Sequence, residues 1–426
     1  MRTDFAPERL AADPTLAEID QILRKCVHCG FCTATCPTYL LTGDELDGPR
    51  GRIYLMKEMF EADRPADEVV RDHLDRCLGC LNCMSTCPSG VDYAHLVEYG
   101  KAHVEATAPR SLFDRLIRAA IALALPGRRR FRASLLAGFL FGPIVRRLPG
   151  RLGALGALVP ARLPGPTLVK PGQVHAAEGL RKARVALVIG CVQPVLRPSV
   201  DAAAVRLLTR HGVEVVVPPS AGCCGALPLH MGKEAQGRAM AALLVDALAP
   251  HLDGLDAVIV TASGCGTTIK DYGHLLQGDP VRAAAAARIA ALARDVTEVL
   301  DGVELAPTGA AAGRPIAYHD ACSLRHGQRV SAPKRLLAKA GFTVREAKDA
   351  HLCCGSAGTY NMLQPELSAP LGRDKAAALA ATGAGVVVAG NIGCLTQIAG
   401  HGALPVFHTV EMLDWATGGP KPEGLA

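Results

Sequence analysis

The stretch CVHCGFCTATCP, residues 26–37, decides the fold of the N-terminal part of this 426-residue chain. Its four cysteines are separated by two, two and three residues, and a proline follows the last one. The same pattern returns as CLGCLNCMSTCP, residues 77–88. Short gaps let successive thiolates surround one corner of an iron–sulfur cube, and the longer gap carries the fourth cysteine to a second cube. The two runs therefore predict a module that holds two [4Fe–4S] clusters.

Because the fourth ligand of each run crosses over, the eight cysteines of this ferredoxin-type module fall into two predicted sets. Cluster 1 is expected on Cys26, Cys29, Cys32 and Cys87, and cluster 2 on Cys77, Cys80, Cys83 and Cys36. Zinc is the alternative, but its sites usually combine two ligand pairs a dozen or more residues apart. His28 lies between two ligands, and we expect it to support the site or face solvent.

The chain contains 16 cysteines, which bears on its compartment. Residues 1–25 mix acidic and basic side chains and contain no apolar signal segment, so the cytoplasm is the expected location. Thiols stay reduced there, which favours metal ligation over disulfides. No apolar run reaches the roughly 18 residues that a membrane-spanning helix requires.

A basic segment separates the N-terminal module from the rest of the chain. Between Arg110 and Arg162 there are 11 arginines and one acidic residue, Asp114. These arginines flank apolar stretches such as 135–145, a pattern typical of peripheral binding to an anionic membrane. A surface that faces a partner subunit and an inter-domain linker remain alternatives.

The C-terminal half repeats itself. Cys191, the pair Cys223-Cys224 and Cys265 recur at nearly the same spacing as Cys322, the pair Cys353-Cys354 and Cys394, and a glycine follows each pair. Short apolar runs with β-branched residues predict buried parallel strands at 184–189, 213–217, 256–261, 315–318, 342–346 and 385–389. The fold class is therefore α+β and α/β, and the cysteines outside the pairs are expected just past strand ends.

These patterns predict four regions: a two-cluster module at residues 1–108, a basic helical connector at 109–180, and cysteine-rich α/β domains at 181–305 and 306–426. Four thiols per repeat would suffice for a third or fourth metal centre. Buried cysteine also serves as a small apolar side chain, so packing is the alternative role. No catalytic residue is assigned.

Several motifs together resemble a known family, and the resemblance covers nearly the whole chain. The chain is similar to proteins that combine two ferredoxin-type clusters with two cysteine-rich domains, and more narrowly to the iron–sulfur subunits of bacterial glycolate oxidase. The matching stretches are Arg24–Lys57, His73–Tyr93, Ala221–His230 (AGCCGALPLH), Ala262–Gly266 (ASGCG) and Asn391–Ile398 (NIGCLTQI). Heterodisulfide reductase relatives end each repeat in Cys-x-x-Cys, which this chain lacks, so their non-cubane cluster is not carried over.

The resemblance implies a subunit that conducts electrons in an oxidoreductase acting on a 2-hydroxy acid. A cube passes one electron, whereas oxidising glycolate removes two, so a flavin must divide the pair. The chain lacks a dinucleotide-binding glycine motif, and FAD is therefore expected on a partner subunit, with a quinone as one candidate acceptor. Equivalent subunits for D-lactate, glycerol 3-phosphate or heterodisulfide are the alternatives. A zinc-dependent nucleic-acid-binding protein is the alternative from another class, and no nucleic-acid partner is expected.

Overall fold

The computed structural model describes residues 1–426. The N-terminal module is entirely helical, and its helices are α1 Pro7–Ala12, α2 Pro14–Lys25, α3 Pro37–Thr42, α4 Pro49–Glu61, α5 Glu68–Asp75, α6 Asn82–Thr86 and α7 Tyr93–Thr107. Two 3₁₀ helices, Phe31–Thr35 and Glu45–Asp47, complete it.

Helix α2 brings the first cysteine run to the core. Asp13 caps it by accepting hydrogen bonds from the backbone N–H groups of Thr15 and Leu16, as an N-cap carboxylate does. Leu16, Ile19 and Leu23 lie on its buried face. Cys26 follows directly as the C-cap residue, so packing of the helix fixes the first ligand.

Three helices form the connector: α8 Leu112–Ala124, α9 Arg128–Val145 and α10 Gly150–Ala157. The predicted helical character is thus confirmed. No helix of the chain is both long enough and apolar enough to cross a bilayer.

The first repeat is a five-stranded sheet in the order β1-β3-β2-β4-β5, parallel except for β1. Its strands are β1 Val174–His175, β2 Ala183–Val188, β3 Val213–Val216, β4 Ala257–Val260 and β5 Ala293–Asp295. Its helices are α11 Gln193–Leu196, α12 Pro198–Arg210, α13 Ala226–His230, α14 Glu234–Leu248, α15 Ser263–Lys270, α16 Tyr272–Leu275, α17 Ala283–Leu292 and α18 Val296–Asp301.

The second repeat has a four-stranded parallel sheet in the order β7-β6-β8-β9. Its strands are β6 Pro315–His319, β7 Thr343–Glu346, β8 Val387–Ala389 and β9 Val406–His408. Its helices are α19 Ala332–Lys339, α20 Tyr360–Leu363, α21 Pro365–Ala380, α22 Ile392–His401 and α23 Thr409–Ala416, with a π-helical turn at Ser323–Gln328.

All six strands expected from the sequence are present, and the predicted fold class is confirmed. The structure adds the short strands β1, β5 and β9, which have only two or three residues each. Cys191 and Cys322 lie in the turns after β2 and β6, while Cys265 and Cys394 lie in the first turns of α15 and α22.

The two repeats meet at the carboxyl ends of their central strands. His408 Nε2 lies 2.8 Å from the backbone oxygen of Thr261, and the hydroxyls of Ser263 and Ser323 are 2.7 Å apart. Because Thr261 and Ser263 follow β4 and Ser323 follows β6, the sheet edges that carry the cysteines face each other.

Candidate iron–sulfur and thiolate centres

The first cysteine cavity lies between the ends of α2 and α6. Cys26, Cys29, Cys32 and Cys87 line it, together with Cys83. Cys32 is carried by the 3₁₀ helix Phe31–Thr35 and Cys87 is the C-cap of α6. Two cysteines of the second run, Cys83 and Cys87, thus join three cysteines of the first.

A second cavity lies beside it. Cys36, Cys77, Cys80 and Cys83 line it. Cys36 lines only this second cavity, and Cys87 lines only the first. Cys36 thus groups with the second run and Cys87 with the first, while Cys83 lines both cavities, so the division of the eight thiols into two cluster-binding sets stays a prediction.

The backbone of the two runs shares a feature that sequence reasoning missed. His28 and Gly79 occupy the same place in their runs, as do Gly30 and Leu81, and all four have positive φ angles between 59° and 84°. Left-handed residues on both sides of the second cysteine let the chain curl around one cavity. The expectation that His28 is a supporting or surface residue agrees with its exposed position and its role in this curl.

Burial of the thiols disfavours their charged thiolate form. Burial, and then the charge of neighbouring cysteines, raises the pKa of Cys32 to about 11, and the pKa values of Cys80 and Cys83 rise for the same reasons, with burial the largest cause. Crowded thiolates are unfavourable unless a cation is present, and a metal ion deprotonates such thiols outright. The donor set fits an iron–sulfur cluster.

Arg52 supplies a permanent charge beside the second cavity. Its side chain is only 1% exposed, and its guanidinium Nη1 lies 3.9 Å from the Cys36 sulfur. Burial disfavours a thiolate at Cys77, but Arg52 and Lys101 outweigh it and lower the pKa of that thiol. Arg52 lies in the first turn of helix α4.

Four thiols also converge in the first repeat. The sulfur atoms of Cys191 and Cys223 are 3.6 Å apart, and Cys223 and Cys265 are close enough to the Cys224 thiol to raise its pKa. Hydrogen bonds from Cys191 and Cys224 lower the pKa of Cys223 to about 4. The Gly225 N–H also points to the Cys223 sulfur, at 3.4 Å.

The second repeat gathers the same set. The sulfur atoms of Cys322 and Cys353 are 3.8 Å apart, and the Cys354 thiol is hydrogen-bonded to Cys394. His319, at the end of β6, has a ligand nitrogen within 4.8 Å of the Cys354 and Cys394 sulfurs. Sequence reasoning missed His319, although a histidine at a strand end three residues before a cysteine was a visible signal.

The second repeat packs directly on the cluster module. Cys80 and Cys322 flank one apolar cluster that contains Leu78 and Cys353. Asn82 Nδ2 donates to the backbone oxygen of His351 at 3.2 Å. The second cysteine cavity and the thiols of the second repeat are thus neighbours.

One side chain joins the thiol sets of the two repeats. Asn391 Nδ2 donates to the Cys394 sulfur at 3.5 Å, and its Oδ1 accepts from the Gly264 N–H at 3.5 Å. Gly264 precedes Cys265 in the first turn of α15. An amide between the two sites gives them a shared polar contact.

Connector arginines are divided between structural and exposed positions. Arg128 donates to the backbone oxygens of Gly190 and Ala221, both at 2.7 Å, and Arg118 donates to Met231 O at 2.6 Å. Arg110, Arg146 and Arg151 are likewise bonded within the chain. The exposed arginines without an ion pair or side-chain hydrogen bond are Arg115, Arg129, Arg130, Arg132, Arg147 and Arg162.

Family comparisons agree with this architecture. Residues 22–91 match the 4Fe-4S dicluster domain, and residues 185–270 and 316–399 each match the Cysteine-rich domain. The chain is 40% identical to the glycolate oxidase iron-sulfur subunit of Escherichia coli over 96% of this chain and 98% of the relative. It belongs to that family. A probable glycolate oxidase iron-sulfur subunit of Bacillus subtilis is 34% identical over 88% of each chain.

More distant relatives share the same parts. A fumarate reductase (CoM/CoB) subunit of Methanothermobacter marburgensis is 25% identical over 92% of this chain and 72% of its own length. A lactate utilization protein A of Exiguobacterium is 30% identical but aligns with only 54% of this chain. Relatives named for other substrates therefore align at lower identity or over less of the chain, while the full-length relatives at higher identity are glycolate oxidase subunits.

Proposed function

We propose that this chain is the electron-transfer subunit of a glycolate-oxidising complex. The observation that carries the proposal is the grouping of eight cysteines around two adjacent cavities, beside a third thiol set in the second repeat. Full-length similarity to glycolate oxidase iron–sulfur subunits supports the substrate. The shorter alignment with the lactate utilization protein favours D-lactate less.

In this proposal each cavity holds one cube. Cys26, Cys29, Cys32 and Cys87 hold cluster 1, and Cys77, Cys80, Cys83 and Cys36 hold cluster 2. Such clusters each accept and release single electrons. The buried Arg52 and Lys101 balance the thiolate charge around Cys77, while tight packing of Ile53, Tyr93 and Val91 limits water around the first cavity.

The thiols of the repeats are proposed as further redox or metal centres. The second-repeat set is Cys322, Cys353, Cys354 and Cys394, and His319 adds a nitrogen donor whose Nε2 atom is buried without a partner. The first-repeat set is Cys191, Cys223, Cys224 and Cys265. Four thiols, with or without an added imidazole, suit an iron–sulfur centre or zinc.

The hydride chemistry is assigned to a partner. Oxidation of glycolate to glyoxylate releases two electrons and two protons, and a flavin can accept both electrons and pass them on singly. FAD on a partner subunit is therefore part of the proposal, with a quinone as the final acceptor. The isolated chain with its clusters should reduce no dye with glycolate, and adding flavin subunits should start turnover. Dye reduction by the isolated chain would refute the division of labour.

Membrane attachment is proposed through the connector. Exposed Phe139, Leu140, Phe141 and Ile144 on α9 lie near exposed arginines, and each cation near an anionic surface contributes roughly 1 kcal/mol. Salt should release the complex because exposed charges are screened.

The structure indicates which arginines to change in a test of binding to anionic vesicles. Changing Arg129, Arg130, Arg132 and Arg147 to Gln removes exposed charge only, whereas Arg128 and Arg146 bond to the chain itself. Loss of sedimentation with phosphatidylglycerol vesicles, with the complex intact, supports the membrane. Dissociation of the subunits with vesicle binding unchanged would instead identify this surface as a partner contact.

A further inference from the structure

A cavity of about 410 Å³ lies between the connector and the two repeats. Its volume is within the range of about 300–1,000 Å³ that small-molecule sites occupy. Side chains of α8 and α9 form its apolar wall, including Ile121, Leu125, Phe131 and Leu135. The cavity is therefore part of the fold and lies under the connector.

The opposite side of this cavity carries the first-repeat thiols. Cys191, Cys223, Cys224 and Cys265 all line it. Asn391, which contacts the Cys394 sulfur and the backbone N–H of Gly264 beside Cys265, lines it as well. A molecule in the cavity would thus lie directly against the proposed redox thiols.

Two buried amide oxygens in the lining have no partner. They are Oε1 of Gln193 and Oδ1 of Asn361, and these residues are 3% and 9% exposed. A buried acceptor without a donor costs free energy, so these two oxygens are candidate acceptors for a ligand with O–H groups. His230 also lines the cavity, and its ring nitrogens make no hydrogen bond within the chain.

The same helix that lines the cavity also presents apolar side chains outward. Leu135 faces the cavity, whereas Leu140, Phe141 and Ile144 on α9 are 60–65% exposed. A lipophilic tail on a bound molecule would find an apolar surface beside the cavity.

We propose that this cavity binds the head group of a lipophilic quinone between the connector helices and the first-repeat thiols. The inference rests on the proposed function and locates its electron acceptor. Glycolate loses a C–H and an O–H bond and releases two electrons and two protons; the quinone takes up two electrons and two protons and gains two O–H bonds. The hydroxyls of the resulting quinol donate to the amide oxygens of Gln193 and Asn361.

The test uses the complex of this chain with its flavin subunits and two variants of helix α8. Ala124 lines the cavity, and Ala124→Phe would fill part of it. Ala119, on the same helix, is exposed and outside the lining, so Ala119→Phe is the matched control. A third variant, Asn361→Leu, removes one unpartnered oxygen at similar volume, together with the Nδ2 group that donates to Gln397 Oε1 at 3.0 Å.

Two readouts are needed. Photolabelling with an azido derivative of decylubiquinone, followed by peptide mapping, should mark residues 112–145 of the unaltered complex. Ala124→Phe should lose most of this labelling and raise KM for decylubiquinone by about tenfold, which corresponds to about 1.4 kcal/mol. Ala119→Phe should change neither. Asn361→Leu should raise KM and leave ferricyanide reduction unaffected.

The outcomes distinguish a failure of the proposed quinone site from a failure of the proposed electron-transfer function. Unchanged labelling and KM in both Ala124→Phe and Asn361→Leu, with clusters intact by absorbance, would overturn the quinone site even if glycolate still reduces ferricyanide. Failure of the unaltered complex to reduce ferricyanide with glycolate would overturn the proposed function, whereas specific quinone labelling of the connector would still support the cavity as a quinone site.

Discussion

The two cysteine-rich repeats share a fold and a thiol arrangement but have different neighbours. In the second repeat, Cys322 and Cys353 pack against Cys80 of the cluster module. In the first repeat, Cys191 and Cys223 line the apolar cavity under the connector. The second-repeat thiols thus lie beside the cysteines of the cluster module, and the first-repeat thiols lie beside the cavity that we propose binds a quinone.

The residues next to the two thiol sets also differ. His319 ends β6 beside the second-repeat thiols, whereas β2 ends in the apolar Val188. The connector bonds through Arg128 to the residues that precede Cys191 and Gly222, whereas the cluster module bonds through Asn82 to His351, near Cys353. The two repeats therefore keep the same cysteine spacing, while the different residues around each thiol set allow the two repeats to have different roles.

The largest expected effect is the loss of the cluster nearest to the second repeat. Cys36→Ser should empty the cavity shared with Cys77, Cys80 and Cys83, lowering the iron content by about four atoms per chain. Turnover to quinone should be lost. Cys87→Ser is the matched variant and should remove the other cluster, which iron analysis and EPR spectra would distinguish. Loss in Cys36→Ser of the same cluster that Cys26→Ser removes would contradict cross-ligation.

The paired cysteines test whether both repeats carry electrons. Replacing Cys223 and Cys224 with Ser should reduce glycolate-to-quinone turnover by about a hundredfold, equivalent to about 2.7 kcal/mol of barrier. Replacing Cys353 and Cys354 should do the same, and EPR signals of the N-terminal clusters should persist in both proteins. Normal turnover in either variant would show that the paired cysteines of that repeat serve packing. It would contradict the proposal that both repeats carry electrons.

The contact between the repeats is expected to matter less. Asn391→Ala removes the amide that contacts Cys394 and Gly264. Losing a hydrogen bond to a charged group costs about 1.5 kcal/mol, so turnover should fall by about tenfold. Redox titration should show a changed potential for the second-repeat centre and unchanged potentials for the N-terminal clusters. An unchanged titration would exclude a role for Asn391 in positioning that centre.

The sequence predicted what short-range spacing controls. Cysteine gaps within one run limit which ligands can reach one cluster, and continuous apolar runs identify the central strands of both sheets. Short edge strands such as β1 and β9 are too brief to show periodicity.

Features that depend on tertiary contacts could not be predicted from the sequence. Arg52 is buried because α4 packs beside the second cavity, and Asn391 links thiol sets that are far apart in sequence. The large cavity is lined by connector and repeat segments that no local pattern brings together. Several connector arginines also proved to bond to backbone oxygens, which charge counting cannot distinguish from exposure.

The smallest expected effect concerns how the cluster module docks on each repeat. Its contact with the second repeat uses Asn82 and Ser85, whereas its contact with the first repeat contains several titratable groups. His95 Nε2 lies 3.1 Å from Asp271 of the first repeat, and its ring stacks on His274 at 3.8 Å. The module also contributes Glu18, Asp92 and Tyr99 to this cluster, so pH should affect the first docking surface selectively.

Burial opposes a charge on His95, but hydrogen bonds to Asp271 and Asp92 outweigh it and raise its pKa from 6.5 to about 10. Because the folded chain then holds a proton that the unfolded chain has lost, the stabilisation is complete below about pH 6.5 and disappears as pH rises through about 10. The free energy of unfolding should fall across this window in urea titrations, and His95→Gln should flatten the fall. Hydrogen exchange, corrected for its intrinsic pH dependence, should show protection lost at Tyr272–Leu275 and retained at Ser323–Gln328. Equal loss at both segments would show that alkaline pH loosens the whole module instead of its contact with the first repeat.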